Sequence, residues 1–328
     1  MITYIQDSFF PVDNGFNFQD VSWVKLSPSG DEIYFLQRGF PCVSIWDLSG
    51  NHLRDWDTEE LGCPHSLTFQ KLQNGTYNVW ITDMAPPSMT GNLCGHCLKQ
   101  FDMAGNYLGS IGTCGQNTQG TDINPVQFDK VTDIAFDSEG NLWVTDGDIN
   151  GLNNRVLQIN PSTQQVLQEW SAPNNNYGSG PKEFNLPHAI DIDALDRVWI
   201  ADALNNRIQV FQTNGAFIQE LKCFGSDGVY GVCVRKDSAT NRSYLYVSTS
   251  PTATPTGGTV KIFEVSQKGL PVPAGCITEY QWNITLPQGT STGMLHMIEA
   301  TELGDQVFLA TLGGDLLPQK WTKVYTPE

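Results

Sequence analysis

The sequence predicts an all-β fold, a six-bladed β-propeller with four antiparallel strands per blade that takes residues 1–328 as a single domain. Three observations predict it. An apolar strand, a Gly-containing turn and a second strand ending in Trp-x-x-Asp recur along the chain, followed by a polar loop and two more strands. The recurrence has a period of roughly 40 to 55 residues, the size of a blade whose radial repetition protects its sheet edges. No linker interrupts it, and the polar residues run to Asn, Gln, Ser, Thr and Gly, which suits strands and turns better than helix bundles.

The first unit pairs Trp23-Val-Lys-Leu-Ser with Ile33-Tyr-Phe-Leu, and the second pairs His65-Ser-Leu-Thr-Phe with Val79-Trp-Ile-Thr-Asp83. The third and fourth are the clearest copies, running from Thr132 to Asp146 and from His188 to Asp202. Each continues through Asn-Asn-Arg, ending at Arg155 and Arg207, into an alternating strand and one outer strand. The fifth pairs Tyr230-Gly-Val-Cys-Val with Tyr244-Leu-Tyr-Val, and the sixth pairs His296-Met-Ile-Glu-Ala with Val307-Phe-Leu-Ala. The opening Ile2-Thr-Tyr-Ile and the terminal Trp321-Thr-Lys-Val-Tyr are expected to meet in one blade and leave no free edge. Between the second and third strands of blade five, the low-complexity stretch from Ser248 to Thr259 reads as a long exposed loop.

Charge narrows the function classes. Among 328 residues, 18 Lys and Arg face 35 Asp and Glu, a net charge of −17 that repels phosphate backbones and anionic lipid. Nucleic acid is therefore excluded as a partner, and without a run of about 18 apolar residues no membrane span is expected. Eight cysteines, an even count, fit a disulfide set in an oxidising compartment. Sequons at Asn74, Asn241 and Asn283 fall near expected turns or strand ends and are candidate glycosylation sites. Together these make the chain extracellular, although Met1-Ile-Thr-Tyr-Ile-Gln-Asp shows no leader. In Cys94-Gly-His-Cys97 one cysteine is expected to bridge to Cys114, and Cys42 with Cys63 and Cys223 with Cys233 are candidate staples between blades.

The repeat register also locates a candidate metal site. The first residues of the six innermost strands are Ser22, His65, Thr132, His188, Tyr230 and His296. Alternate blades of such a ring lie about 120° apart, so His65, His188 and His296 should converge on the axis. Three imidazoles with an open fourth position are the donor set of a catalytic zinc. His52 and His96 lie off this register and read as surface or loop residues. The competing readings are a channel whose polar side chains bind only water, and a Pro-His turn that serves the repeat alone.

The Trp-[IV]-[TA]-Asp and Asn-Asn-Arg phrases resemble NHL repeats. Across nearly the whole chain, Gln37-Arg38-Gly39, Cys63-Pro-His-Ser-Leu67, Phe184-Asn-Leu-Pro-His188 and Met294-Leu-His296 resemble, in order, the peptidyl-α-hydroxyglycine α-amidating lyases. The resemblance implies a six-bladed propeller with zinc on three histidines, Arg38 on substrate and Met294 lining its pocket. Tyr230, at the innermost position of blade five, is a further candidate contact. Asp148 stands where that family has its catalytic tyrosine and is the candidate base or a loop cap, while Ala203 replaces a second arginine. The family's calcium would draw on the carbonyls of Val24 and Leu67, but its aspartate is here Met297, and a hard cation without a carboxylate is weakly held.

Two functions follow as expectations. One is a secreted zinc-dependent carbon–nitrogen lyase acting on a small-molecule or peptide N-acyl-α-hydroxyglycine in the central channel. The other is a non-catalytic extracellular glycoprotein, a binding or self-assembling subunit whose partners are other glycoprotein subunits. An intracellular RNA-binding module of the same repeat family conflicts with the charge and the cysteines.

Overall fold

Strand and turn chemistry alternate along the chain, and a computed structural model shows the ring they build. It describes residues 2–84, 95–116, 123–237, 240–252, 257–265, 282–285, 293–313 and 317–325. Six four-stranded antiparallel sheets occur, and in five of them the strands run in chain order. In the sixth, strands Met294–Ala300, Gln306–Leu312 and Gln319–Tyr325 are joined by Ile2–Gln6 from the other end of the chain. The two ends therefore meet, in register from Ile2 opposite Tyr325 to Gln6 opposite Trp321. The Tyr4 phenol locks this seam by donating to Gly304 O at 2.7 Å. Each innermost strand packs against those of both flanking blades, blade six against blade one included. Apart from two single-turn 3₁₀ segments the described residues hold no helix, and hence none long and apolar enough to cross a membrane.

The repeated phrase has a physical reason at each position. In blades three and four the tryptophan indole, buried in the sheet, donates to an aspartate in the preceding turn (Trp143 to Asp137 and Trp199 to Asp193, both 2.9 Å). The other oxygen of that aspartate accepts turn N–H groups, from Asn141 at 2.8 Å and from Arg197 at 3.0 Å. Burial of each indole stabilises the blade by about 2–3 kcal/mol, and the carboxylate keeps its N–H from being stranded.

The aspartate that closes the phrase is a clamp. Asp146 and Asp202 sit directly across the ladder from Arg155 and Arg207 and pair with them at 3.0 and 2.7 Å, all fully buried. Asp83 pairs with the buried Lys99 at 2.8 Å, although the residue directly across the ladder from it is Cys97. Each also accepts a backbone N–H from the loop that leads into its own blade: Cys63 N on Asp83 (2.7 Å), Asp129 N on Asp146 (3.1 Å) and Asn185 N on Asp202 (2.7 Å). These loops deliver the innermost strands, so the clamp fixes where each strand begins.

Each innermost strand carries a bulge near its start. The ladder to the second strand skips one residue in every blade, and the six skipped residues are Ser22, His65, Thr132, His188, Tyr230 and His296. A bulge re-aims a side chain out of the pleat, here away from the blade and into the central channel.

Three expectations change. Cys97 does bridge to Cys114, but the staples Cys42 with Cys63 and Cys223 with Cys233 are not formed. Cys42 Sγ lies against Leu61 O, Cys63 is held by the Asp83 clamp, and Cys233 is buried against Glu299 of blade six while Cys223 belongs to a different disulfide. Cys94 lies outside the described residues. The stretch beginning at Ser248 is not loop throughout: Ser248, Thr249 and Ser250 are fully buried in strand Arg242–Pro251, because their hydroxyls find partners there. His52 and His96 do sit away from the channel, on an outermost strand beside Asp55 and in a left-handed turn beside Asp129.

Candidate metal centre at the channel mouth

His65, His188 and His296 are brought together. One ligating nitrogen from each lies within 4.8 Å of the other two, and the ring centroids are 4.7 to 4.9 Å apart. All three are buried. Pro64 and Pro187 precede two of them at the first strand position facing the channel, where a missing N–H costs no ladder bond.

The neighbouring blade orients each ring. His65 Nδ1 is 2.8 Å from Thr132 O, His188 Nδ1 is 2.7 Å from Tyr230 O, and His296 Nδ1 is 2.7 Å from Ser22 O. A carbonyl only accepts, so Nδ1 carries the proton and Nε2 keeps its lone pair. Hydroxyls complete the circuit between the histidines: Ser22 donates to Pro64 O (2.9 Å), Thr132 to Pro187 O (2.7 Å) and Ser250 to Leu295 O (2.9 Å). The residues that alternate with the histidines are thus their supports.

Electrostatics keep the imidazoles neutral. Burial first, then the neighbouring imidazoles and the Arg38 charge, hold His65 and His296 well below the usual range. Burial also lowers His188, against the pull of the Asp148 carboxylate. His65 Nε2 is buried and has no hydrogen-bond partner among the described residues. A neutral, outward lone pair with a carbonyl fixing the opposite nitrogen is the arrangement of a metal-ligating histidine. Zinc takes imidazole nitrogens of this kind at about 2.0–2.1 Å.

Around the triad, the half-buried Arg38 acts on all three imidazoles, and its Nε is buried without a partner among the described residues. Tyr230 stands with its ring 5.1 Å from that of His188, edge to face, against the backbone of Gly228, where a Cβ would come within 2.7 Å of the ring. Burial and Asp148 raise its phenol. Asp148 caps its own loop, its Oδ1 accepting from Ile149 N at 2.6 Å, and its charge reaches both His188 and Tyr230. Met294 is half-buried at the start of blade six's innermost strand, bridged to the backbone of Gly257.

Val24 and Leu67 lie instead in one apolar cluster with Met297, all three buried. Met297 stands where the resemblance calls for a carboxylate, and a hard cation without one is weakly held. The sequons at Asn74 and Asn241 are exposed in turns after the innermost strands of blades two and five, on the face opposite the triad, and Asn283 lies in blade five's outermost strand.

Sequence reasoning missed Ser250, Cys63 and the clamp carboxylates. Ser250 is hidden in a low-complexity run. Cys63, its thiol raised by burial but lowered by Arg38, shares the mouth, where the sequence marks it only as the opening of a motif and a candidate staple. The aspartates are visible as part of the repeat, and only the loop contacts reveal what they hold.

Comparison with known proteins bears on the family and the fold. A family profile described as NHL repeat matches residues 184–211. NHL repeat-containing protein 3 of Homo sapiens is 30% identical over 285 residues, 86% of this chain and 73% of that protein. The Mus musculus protein of that name is 33% identical over 66% of this chain, and the match spans only 58% of its length. Peptidylglycine alpha-amidating monooxygenase of Rattus norvegicus is 31% identical over 48% of this chain and 15% of that protein. Among solved structures, virginiamycin B lyase from Staphylococcus aureus, in a catalytically inactive form with quinupristin, has a TM-score of 0.56 over 98% of this chain and 99% of that one; at 14% identity it shows the fold alone.

Proposed function

This chain belongs to the NHL-repeat β-propeller family, beside NHL repeat-containing protein 3, and on that footing we propose that it is a zinc-dependent lyase for N-acyl-α-hydroxyglycines. The observation that supports it best is the triad: three buried imidazoles, held toward the neutral form, with a ligating nitrogen of each within 4.8 Å of the others and the Arg38 charge beside them. Homology to amidating lyase domains supports the choice of chemistry.

Bound to His65, His188 and His296, zinc would polarise the substrate hydroxyl and lower its pKa. Arg38, half-buried beside the triad, would hold the carboxylate through its guanidinium. Asp148, with Oδ1 occupied by Ile149 N–H, offers Oδ2 to the hydroxyl proton. The C–N bond then breaks with its electron pair going to nitrogen. The phenol of Tyr230, kept protonated by burial and by Asp148, supplies that nitrogen's proton and recovers its own from Asp148. The products are an amide and glyoxylate. Calcium has no part in this scheme.

The alternative, a propeller that binds the ligand without turning it over, is favoured by two observations: Asp148 is tied into a cap, and Ala203 leaves Arg38 as the sole matched arginine. Glyoxylate release from α-hydroxyhippurate by protein carrying one zinc per chain distinguishes them. Fully metallated protein that releases none leaves the binding reading. Secretion and glycosylation belong to the same proposal. They are supported by the disulfides and by the exposure of Asn74 and Asn241, and a mass loss on enzymatic deglycosylation of the secreted protein tests them.

A further inference from the structure

The innermost strands carry a second charged cluster, away from the triad, that the lyase scheme does not use. Lys25 and Glu299 lie three residues beyond the bulged Ser22 and His296, and Arg235 lies five beyond Tyr230. At about 3.3 Å per residue the cluster sits roughly 10 Å farther along the strands, toward the opposite face. Lys25 Nζ pairs with Glu299 Oε2 at 3.1 Å, and Arg235 pairs with Asp191 and, through Nε, with Glu299, both at 2.9 Å. The four charges cancel, but they do not face solvent equally. The Glu299 side chain is 2% exposed, whereas those of Lys25 and Arg235 are 23% and 19% exposed.

Both cations line a cavity of about 670 Å³ between the turns at residues 27–30 of blade one and 301–305 of blade six. Neither cation is saturated. Among the described residues Lys25 Nζ has Glu299 as its only partner. Arg235 spends Nη1 on Asp191 and Val234 O, and Nε and Nη2 on Glu299, which leaves one Nη2–H. The outer edge has the opposite sign, with Glu302 and Asp305 exposed, and Pro28, Leu48 and Leu303 add an apolar wall. A bare anion meets the acidic edge and a bare cation meets the basic floor, while a molecule carrying both charges meets neither penalty.

We propose that this cavity binds a free α-amino acid with an aliphatic side chain, its carboxylate on Lys25 and Arg235, its ammonium toward Glu302 and Asp305, and its side chain on the apolar wall. The site needs no metal and does not depend on the lyase reading.

The probes are L-leucine and its two half-molecules, 4-methylpentanoate without the ammonium and 3-methylbutylamine without the carboxylate. Each is titrated calorimetrically into the intact chain, with and without a chelator. Leucine should bind about tenfold tighter than either half, because each half forfeits one set of charge-assisted hydrogen bonds. Lys25→Met should weaken leucine about tenfold, and in Glu302→Gln/Asp305→Asn its advantage over 4-methylpentanoate should shrink to about twofold. If Lys25→Met does not fold, because Glu299 loses a partner, the double variant at two exposed positions decides. Equal binding of leucine and 4-methylpentanoate, an advantage that survives the double variant, or no binding of leucine at millimolar concentration overturns the proposal. So does a loss of leucine binding in Arg38→Met, which would put the amino acid at the triad instead.

Discussion

Replacing His188 by alanine separates what the triad does for the fold from what it does for an ion. The change removes a buried ring and the 2.7 Å bond from its Nδ1 to Tyr230 O. Without metal the cost is the lost bond and an orphaned carbonyl, about 1–3 kcal/mol. With zinc at a thousand times its dissociation constant the wild type gains a further ~4 kcal/mol, because the ion binds only the folded ring. Two imidazoles cannot hold it comparably, since even losses outside the ligand shell weaken a site by roughly 10- to 100-fold. Urea denaturation with zinc or with a chelator, alongside elemental analysis, reads both numbers. Chelation should lower wild-type stability by about 4 kcal/mol and the variant's by less than about 0.5 kcal/mol. If the variant keeps one ion per chain, or both proteins respond to the chelator alike, the ion is not at the hub.

Other substitutions probe the supports. Asp83→Leu leaves the buried Lys99 charge uncompensated and the Cys63 N–H without its acceptor, and should cost about 3–5 kcal/mol in urea melts, of which Asp83→Leu/Lys99→Met recovers only the ion-pair share; equal losses in the two would remove the clamp's electrostatic basis. Arg38→Lys keeps the charge but loses the planar fork, so KM for α-hydroxyhippurate should rise about tenfold with zinc content unchanged, and an unchanged KM would take the substrate carboxylate away from Arg38. Tyr4→Phe should cost about 1 kcal/mol by removing the seam bond to Gly304 O, and an unchanged midpoint would mean the seam does not limit unfolding. In metal-free protein His65 and His296 titrate well below the 6.5 expected of the unfolded chain, which therefore takes up protons first as pH falls. Their contribution is full above pH 6.5 and shrinks below it. Comparing wild type with His65→Gln/His296→Gln from pH 7 to 5 isolates this from Asp133, which burial pushes the opposite way, and parallel profiles would refute it.

The ring is legible because its repeat is chemical as well as numerical. Trp143 and Trp199 need an acceptor six positions earlier, and Asp146 and Asp202 need Arg155 and Arg207 across the ladder, so the phrase survives in the sequence. The same register carries His65, His188 and His296 to one point. What aims them is not legible. A bulge is a property of two strands together, and no residue type marks it at Ser22, Thr132 or Tyr230. The expected staples do not form for a related reason: Cys223 and Cys233 are close along the chain, but strand geometry turns Cys233 toward Glu299. Ser250 reads wrongly in the sequence because hydroxyl-rich segments look like loops until their partners are known.

Ser22 belongs to the first blade and His296 to the last, so the bond between them joins points 274 residues apart, where the chain returns to its own beginning. A nascent polypeptide lacking only that final wedge has His65 and His188 already aimed and the Ser22 carbonyl in place, but not yet the third imidazole that leans on it. On the proposed role of the triad, competence to capture an ion arrives in one step, with the completion of the circle.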